Sequence, residues 1–142
     1  MADAHSYLHF NGNCEEAFNL YKSVFGGDFT QITRYADLPT DHPTTPEEAN
    51  KIMHISLPLQ KGSMLLGSDI PAAFPKAVMG NSYYISVNTD SEEEAQKVYT
   101  GLSTGGQIYM QLEKTFWAPL FGMFADKYGV QWMVSLNEPT QQ

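Results

Sequence analysis

Two stretches decide the fold: Asn13–Gly27, NCEEAFNLYKSVFGG, and Ser91–Gly106, SEEEAQKVYTGLSTGG. Glu15, Glu16, Ala17 and Tyr21 of the first return as Glu93, Glu94, Ala95 and Tyr99 of the second, at constant spacing. After one extra residue, Gly26-Gly27 return as Gly105-Gly106. Self-similarity at a fixed offset marks a structural repeat. Each copy carries the signals of a helix. Asn13 and Ser91 stand at the N-cap, each with a Glu three positions on (Glu16, Glu94), the spacing of a capping box. Ala17, Leu20, Tyr21 and Val24 form an apolar stripe at helical spacing, repeated by Ala95, Val98, Tyr99 and Leu102. Each Gly-Gly pair supplies a stop.

Strand signals flank both helices. A short strand precedes each, Tyr7–Phe10 and Tyr83–Val87, and an extended stretch follows, Phe29–Tyr35 and Gln107–Leu112. The first half continues with Ile52–Leu59 and Ser63–Ser68 around the turn Gln60-Lys61-Gly62, and the second with Leu120–Ala125 and Val130–Leu136 around Asp126–Gly129. Each half therefore reads strand–helix–strand–strand–strand, an α+β chain of two βαβββ modules. We place the first module at residues 4–70 and the second at 80–137, within one domain covering 1–142. Two long loops stand out, Asp37–Asn50 with three prolines and Ile70–Gly80 with two. Both read as lids or as plain solvated connections. The tail Glu138–Gln142 reads as frayed.

The composition narrows the function. The chain has 142 residues, 42% hydrophobic and 13% aromatic, enough for a packed core without disulfide or metal. Lys+Arg 8 against Asp+Glu 16 gives a net charge of −8. That field repels phosphate backbones and anionic membranes, so no nucleic acid and no membrane is expected as a partner. Met1–Tyr7 has neither a basic nor an apolar leader region. The single cysteine, Cys14, forms no internal disulfide, which fits a reducing, cytoplasmic setting.

Alternation sorts the strand side chains. Leu8 and Phe10 oppose His5, Tyr7 and His9; Met53, Ile55 and Leu57 oppose Ile52, His54 and Ser56. In the second half, Tyr83, Ile85 and Val87 oppose Ser82, Tyr84 and Ser86, and Trp132, Val134 and Leu136 oppose Gln131, Met133 and Ser135. The apolar faces belong under the helices. The mixed faces suit a concave ligand surface, a wet face or a dimer interface. Tyr7, His9, His54, Ser56, Tyr84, Trp117 and Met133 are the candidate ligand-binding residues, with Phe116-Trp117 and Tyr84 as stacking surfaces. For metal the candidates are His5, His9, His54 and Asp69. On a strand His5 and His9 stand roughly 13 Å apart, so at most one of them pairs with His54 on one ion. Glu15, Glu16, Glu93 and Glu94 read as helix-terminal charges. Cys14 reads as inert, Trp132 as core, His42 as solvated, and Asp126 with Gly129 as a turn.

The runs YLHFNGNCEEAFNLYKSVFGG, IMHISLPLQKGSMLLGSD and EKTFWAPLFGMFADKYGVQWMVS resemble the PhnB-like family of the vicinal-oxygen-chelate superfamily, which includes glyoxalase I, bleomycin-resistance proteins and extradiol dioxygenases. The resemblance spans Tyr7 to Ser135. It implies the glyoxalase/bleomycin resistance/dihydroxybiphenyl dioxygenase fold, with modules cupping a cavity between curved sheets, and a homodimer. Metal-dependent members hold a divalent ion through His and Glu side chains on the first and last strands of each module. Carried onto this chain, those positions fall at His5 or Ser6, near Gly67, Ser68 or Asp69, at Ser82 and at Met133. Serine is a weak ligand and methionine a soft one, so at least half of that constellation is missing. Sequences of this kind are sometimes labelled demethylubiquinone methyltransferases. Yet no Gly-rich nucleotide-binding turn opens a helix within a βαβ unit here. The expected function is binding of a small organic molecule, with no cofactor and with catalysis unassigned. One alternative is a divalent-metal-dependent lyase, isomerase or dioxygenase using His54 with His5 or His9 and Asp69. The other is a non-catalytic structural dimer with a vestigial cavity.

Overall fold

Each copy of the repeat builds one helix and four strands. The computed structural model describes residues 1–39 and 44–137. The first unit, Met1–Val78, holds β1 (Ser6–Phe10), α1 (Cys14–Phe25), β2 (Gln31–Arg34), β3 (Ile52–Pro58) and β4 (Met64–Asp69). The second, from Met79 onward, holds β5 (Ile85–Thr89), α2 (Glu92–Ser103), β6 (Gln107–Glu113), β7 (Phe121–Ala125) and β8 (Gln131–Leu136). Strand order is β1-β4-β3-β2 in one sheet and β5-β8-β7-β6 in the other. In both, the first strand runs parallel to the last and the remaining pairs are antiparallel. The chain is thus α+β with two βαβββ modules. His42 and the tail Glu138–Gln142 lie outside the described residues.

Each helix covers one face of its own sheet. Cys14, Ala17, Phe18, Tyr21 and Val24 of α1 are buried with Phe10, Ile55, Leu57 and Leu65. Phe18, rather than the expected Leu20, fills this core, meeting Phe10 and Tyr21 edge to face. It lies directly over Gly67, where a Cβ would stand 2.6 Å from its ring. In the second unit Ala95, Val98 and Leu102 of α2 are buried with Phe124, Trp132 and Val134. Tyr99 sits over Gly122 and meets the Phe124 ring edge to face. The other face of each sheet carries no helix of its own unit.

The two helices begin differently, and here the expectation fails for one. Ser91 caps α2 as read: its Oγ accepts the Glu94 N–H at 3.1 Å, while Glu94 Oε1 accepts the Asp90 N–H at 3.1 Å. Asn13 makes no side-chain cap. Asp69, at the end of β4, takes that role. Its Oδ1 accepts the N–H groups of Gly12 at 3.0 Å and Cys14 at 2.9 Å, and its Oδ2 accepts that of Ile52 at 2.9 Å. One buried carboxylate therefore joins the start of α1 to β3 and β4.

Strand alternation also fails at one place. Thr33 faces His54 but Arg34 faces Ile52, so Met53 is the extra residue of a β-bulge. Past the bulge the pleat reverses. Ile52 joins Ile55 and Leu57 in full burial, and Met53 is only half-buried.

Candidate functional site

In the first unit, the face away from α1 carries a hydrogen-bonded string. Tyr7 on β1 reaches across β4 to β3, where its Oη stands 3.2 Å from His54 Nδ1. The other ring nitrogen, Nε2, stands 3.0 Å from Ser56 Oγ. The local geometry produces this set. His54 and Ser56 are two residues apart on β3 and share a face. Tyr7 and Ser56 both pair with Leu66 of the intervening β4. His9, two residues beyond Tyr7, turns its ring edge-on to the tyrosine at 5.4 Å. The string runs from the surface inward, since Tyr7 is 46% exposed and Ser56 only 4%. With both nitrogens engaged, the His54 tautomer sets the sense of both hydroxyls. If Tyr7 donates to Nδ1, the Nε2–H donates to Ser56, and the reverse tautomer reverses both bonds. A ligand oxygen or nitrogen meeting Tyr7 thus finds either a donor or an acceptor.

The second unit offers a softer surface. Met110, Met123 and Met133 pair in one row across β6, β7 and β8, and Met133 pairs with Ser86 on β5. Tyr84 and Tyr109 belong to opposite edges of this sheet, yet their rings meet edge to face with centroids 6.4 Å apart. A β-bulge at Tyr109 re-aims that side chain, because Ile108 pairs with Phe124 and Met110 with Met123. Trp117, 49% exposed, stacks edge-on to Phe121 at 5.3 Å. Of the residues singled out in the sequence, Tyr7, His9, His54 and Ser56 come together in the first unit. Tyr84 and Met133 share the open face of the second. Met110, Met123 and Tyr109 were missed. Their signal was the recurrence of methionine on strands, obscured by the bulge that breaks alternation in β6.

The metal candidates do not converge. His5 Nε2 lies 3.3 Å from Asp3. Both nitrogens of His54 face hydroxyls, and both oxygens of Asp69 accept backbone N–H groups. Among the described residues, no group of three or more His, Cys, Asp or Glu side chains stands where it could hold one ion. Asp69 is a structural anchor rather than a ligand at the rim. Asp126 is likewise more than a turn residue: it is buried and accepts from Tyr128 N–H, Val130 N–H and Trp132 Nε1. Burial and the neighbouring Asp69 push the Cys14 thiol well above its usual range, which keeps it protonated and inert. Glu15 forms a two-pronged pair with Arg34 at 2.7 and 2.9 Å, and that hydrogen bonding holds its carboxyl below the usual range.

A groove at the ends of β1 and β4 is lined by Tyr35, Glu47, Glu48, Lys51, Phe74 and Lys76, and two of its charged side chains bond to backbone. Lys51 Nζ donates to Gly12 O, and Glu48 Oε1 accepts the Ala72 N–H.

Paired βαβββ modules with these open faces define a glyoxalase/bleomycin resistance/dioxygenase fold. A domain of that description from Frankia sp. EAN1pec superposes with a TM-score of 0.66 at 11% identity, covering 97% of this chain and 98% of that one. Likeness at the sequence level is stronger elsewhere. The protein PA1353 from Pseudomonas aeruginosa is 37% identical with a TM-score of 0.88, covering 98% of this chain and all of its own. A PhnB protein from Bacillus cereus, described as a putative 3-demethylubiquinone-9 3-methyltransferase, is 27% identical with a TM-score of 0.75, covering 96% of this chain and all of its own. The model of the 3-demethylubiquinone-9 3-methyltransferase family matches residues 2–135, and the chain belongs to that PhnB-like family.

Proposed function

We propose that this protein binds small organic molecules on the sheet faces turned away from its helices, through Tyr7, His9, His54 and Ser56 in the first unit and, taken by itself, through Tyr84, Trp117 and Met133 in the second. The Tyr7–His54–Ser56 string carries the reading. It is an ordered polar device on a sheet face that no helix of its unit covers. Its exposed end makes bonds of either sense, the kind of placed polar group that orients a ligand on a largely apolar surface. The net charge of −8 favours neutral or cationic ligands over anions. Methyl transfer is not part of the proposal. The N–H groups of Gly12 and Cys14 at the start of α1 are spent on Asp69, and α2 opens on Asp90-Ser91.

A homodimer and a cytoplasmic setting belong to the same proposal. The apolar side chains left open at Val78 and Phe116 support the first, and the lone buried thiol of Cys14 supports the second.

The test is a thermal-shift screen of neutral and cationic aromatic compounds against wild type and His54→Ala. A ligand at a hundred times its Kd raises stability by about 2.7 kcal/mol, a shift of several degrees. Hits that lose their shift in His54→Ala support the reading. A library without a single hit, or hits indifferent to His54→Ala, overturns it.

A further inference from the structure

The second sheet contains one polar atom whose chemistry is unfinished. Gln131 opens β8 and is only 4% exposed. Its Nε2 donates to Gly129 O at 3.4 Å. Its Oε1 is the one buried side-chain polar atom among the described residues without a hydrogen-bond partner. A buried acceptor left unpaired is costly, so a donor brought to it is bound with a gain. Gln131 lies two residues before Met133 and thus on the same face of β8. Trp132 between them is buried in the core on the other face. Gln131 pairs with Ala125, the smallest side chain of β7 apart from Gly122. Tyr84 immediately precedes β5 and Gln131 opens β8, each one step before the Ile85–Trp132 pair. By its register Gln131 therefore belongs to the face that carries the methionine row and the Tyr84–Tyr109 contact.

We propose that this face binds a flat aromatic molecule bearing an N–H donor, which it gives to Gln131 Oε1. The inference rests on the small-molecule reading above and names its ligand class. Three features converge on that class. Methionine thioethers are polarizable and adaptable, and they make favourable contacts with aromatic rings. Tyr84 and Tyr109 offer ring edges and faces to an aromatic guest, and to a cationic one as well. The acceptor requires a donor, and in a chain of net charge −8 an amine suits the field better than a phenol that ionises to an anion.

The test compares 6-aminoquinoline with 6-methylquinoline. They share a ring system and nearly share a shape, but only the amine donates. Binding is followed by NMR on protein carrying 13C-methyl methionine. The aminoquinoline is expected to shift the methyl signals of Met110, Met123 and Met133 together. It should saturate at least about tenfold below the methylquinoline, the worth of one buried hydrogen bond. In Gln131→Leu the two compounds should bind alike. Equal affinities for wild type, or no binding by the aminoquinoline, overturn the inference, and this comparison stands even if the variant does not fold. An aminoquinoline that moves the His54 ring signals but none of the three methionines also overturns it, while leaving small-molecule binding intact. A library with no binder removes both.

Discussion

Replacing Asp69 by asparagine tests the idea that one carboxylate joins α1 to its sheet. In the native chain its two oxygens accept three backbone N–H groups, from Gly12, Cys14 and Ile52, at 2.9–3.0 Å. The amide of Asp69→Asn would keep an oxygen toward Gly12 and Cys14 but would turn an NH2 group toward the Ile52 N–H. Donor then faces donor beside Ile52, which is fully buried. Losing a hydrogen bond to a charged group costs about 1.5–3 kcal/mol, and the two surviving bonds weaken once the acceptor is neutral. We expect a loss of about 3 kcal/mol, a large share of the roughly 5–15 kcal/mol that holds an ordinary domain together. Asp69→Ala, which abandons all three N–H groups, should cost more. The assay is urea unfolding at pH 7 followed by far-ultraviolet circular dichroism. With a slope of about 2 kcal/mol per molar urea, the midpoint should fall by about 1.5 M at unchanged slope. Both tryptophans, Trp117 and Trp132, belong to the second unit. Their fluorescence therefore reports that unit separately. A midpoint lowered by less than about 0.3 M, with the slope preserved, would refute the anchoring role of Asp69.

Three further outcomes are expected. Gly106→Ala should destabilise by about 2–3 kcal/mol or prevent folding, because a Cβ there would lie 2.0 Å from the Ala125 carbonyl oxygen, and backbone does not yield as a side-chain tip does; thermal unfolding of the variant measures it. The half-buried Glu15–Arg34 pair should contribute about 0.5 kcal/mol at neutral pH. Since Arg34 lowers the Glu15 pKa, that contribution is complete above the ordinary glutamate pKa of about 4.3 and disappears as pH falls through the lower folded value; the difference between wild type and Glu15→Gln followed from pH 7 to 2 checks the sign. Cys14 should resist iodoacetamide at pH 8 in the native state and react once urea unfolds the chain, as mass spectrometry will show; modification of the folded protein would contradict its buried, protonated state.

The architecture was readable because its signals are local and duplicated. Two N-caps, two apolar stripes and two Gly-Gly stops required no knowledge of what packs on what. The misreadings all involve distant partners. Asn13 has the composition of a capping residue, but a carboxylate from the far end of the module occupies the N–H groups it would have served. Met53 looks core-facing in a plain alternation, and a bulge against β2 hands its place to Ile52. Leu20 and Phe18 are both apolar, and the gap above Gly67 selects Phe18. The same division holds at the site. His54 was visible as the polar break in an apolar strand, and Ser56 followed from its spacing. Their link to Tyr7 depends on the order β1-β4-β3, which no local signal contains. Gln131 shows no sign in sequence that its oxygen would be left alone.

The parallel pairing of β1 with β4 has a consequence for how the chain emerges from a ribosome. The first strand of the module must lie beside its last, with Phe10 opposite Asp69. A nascent chain stopped short of Asp69 carries β1 without its neighbour and α1 without the carboxylate that receives its leading N–H groups. Such long-range closure gives little reward until late. The first module should therefore gain resistance to protease in one step, when Asp69 clears the exit tunnel, rather than strand by strand.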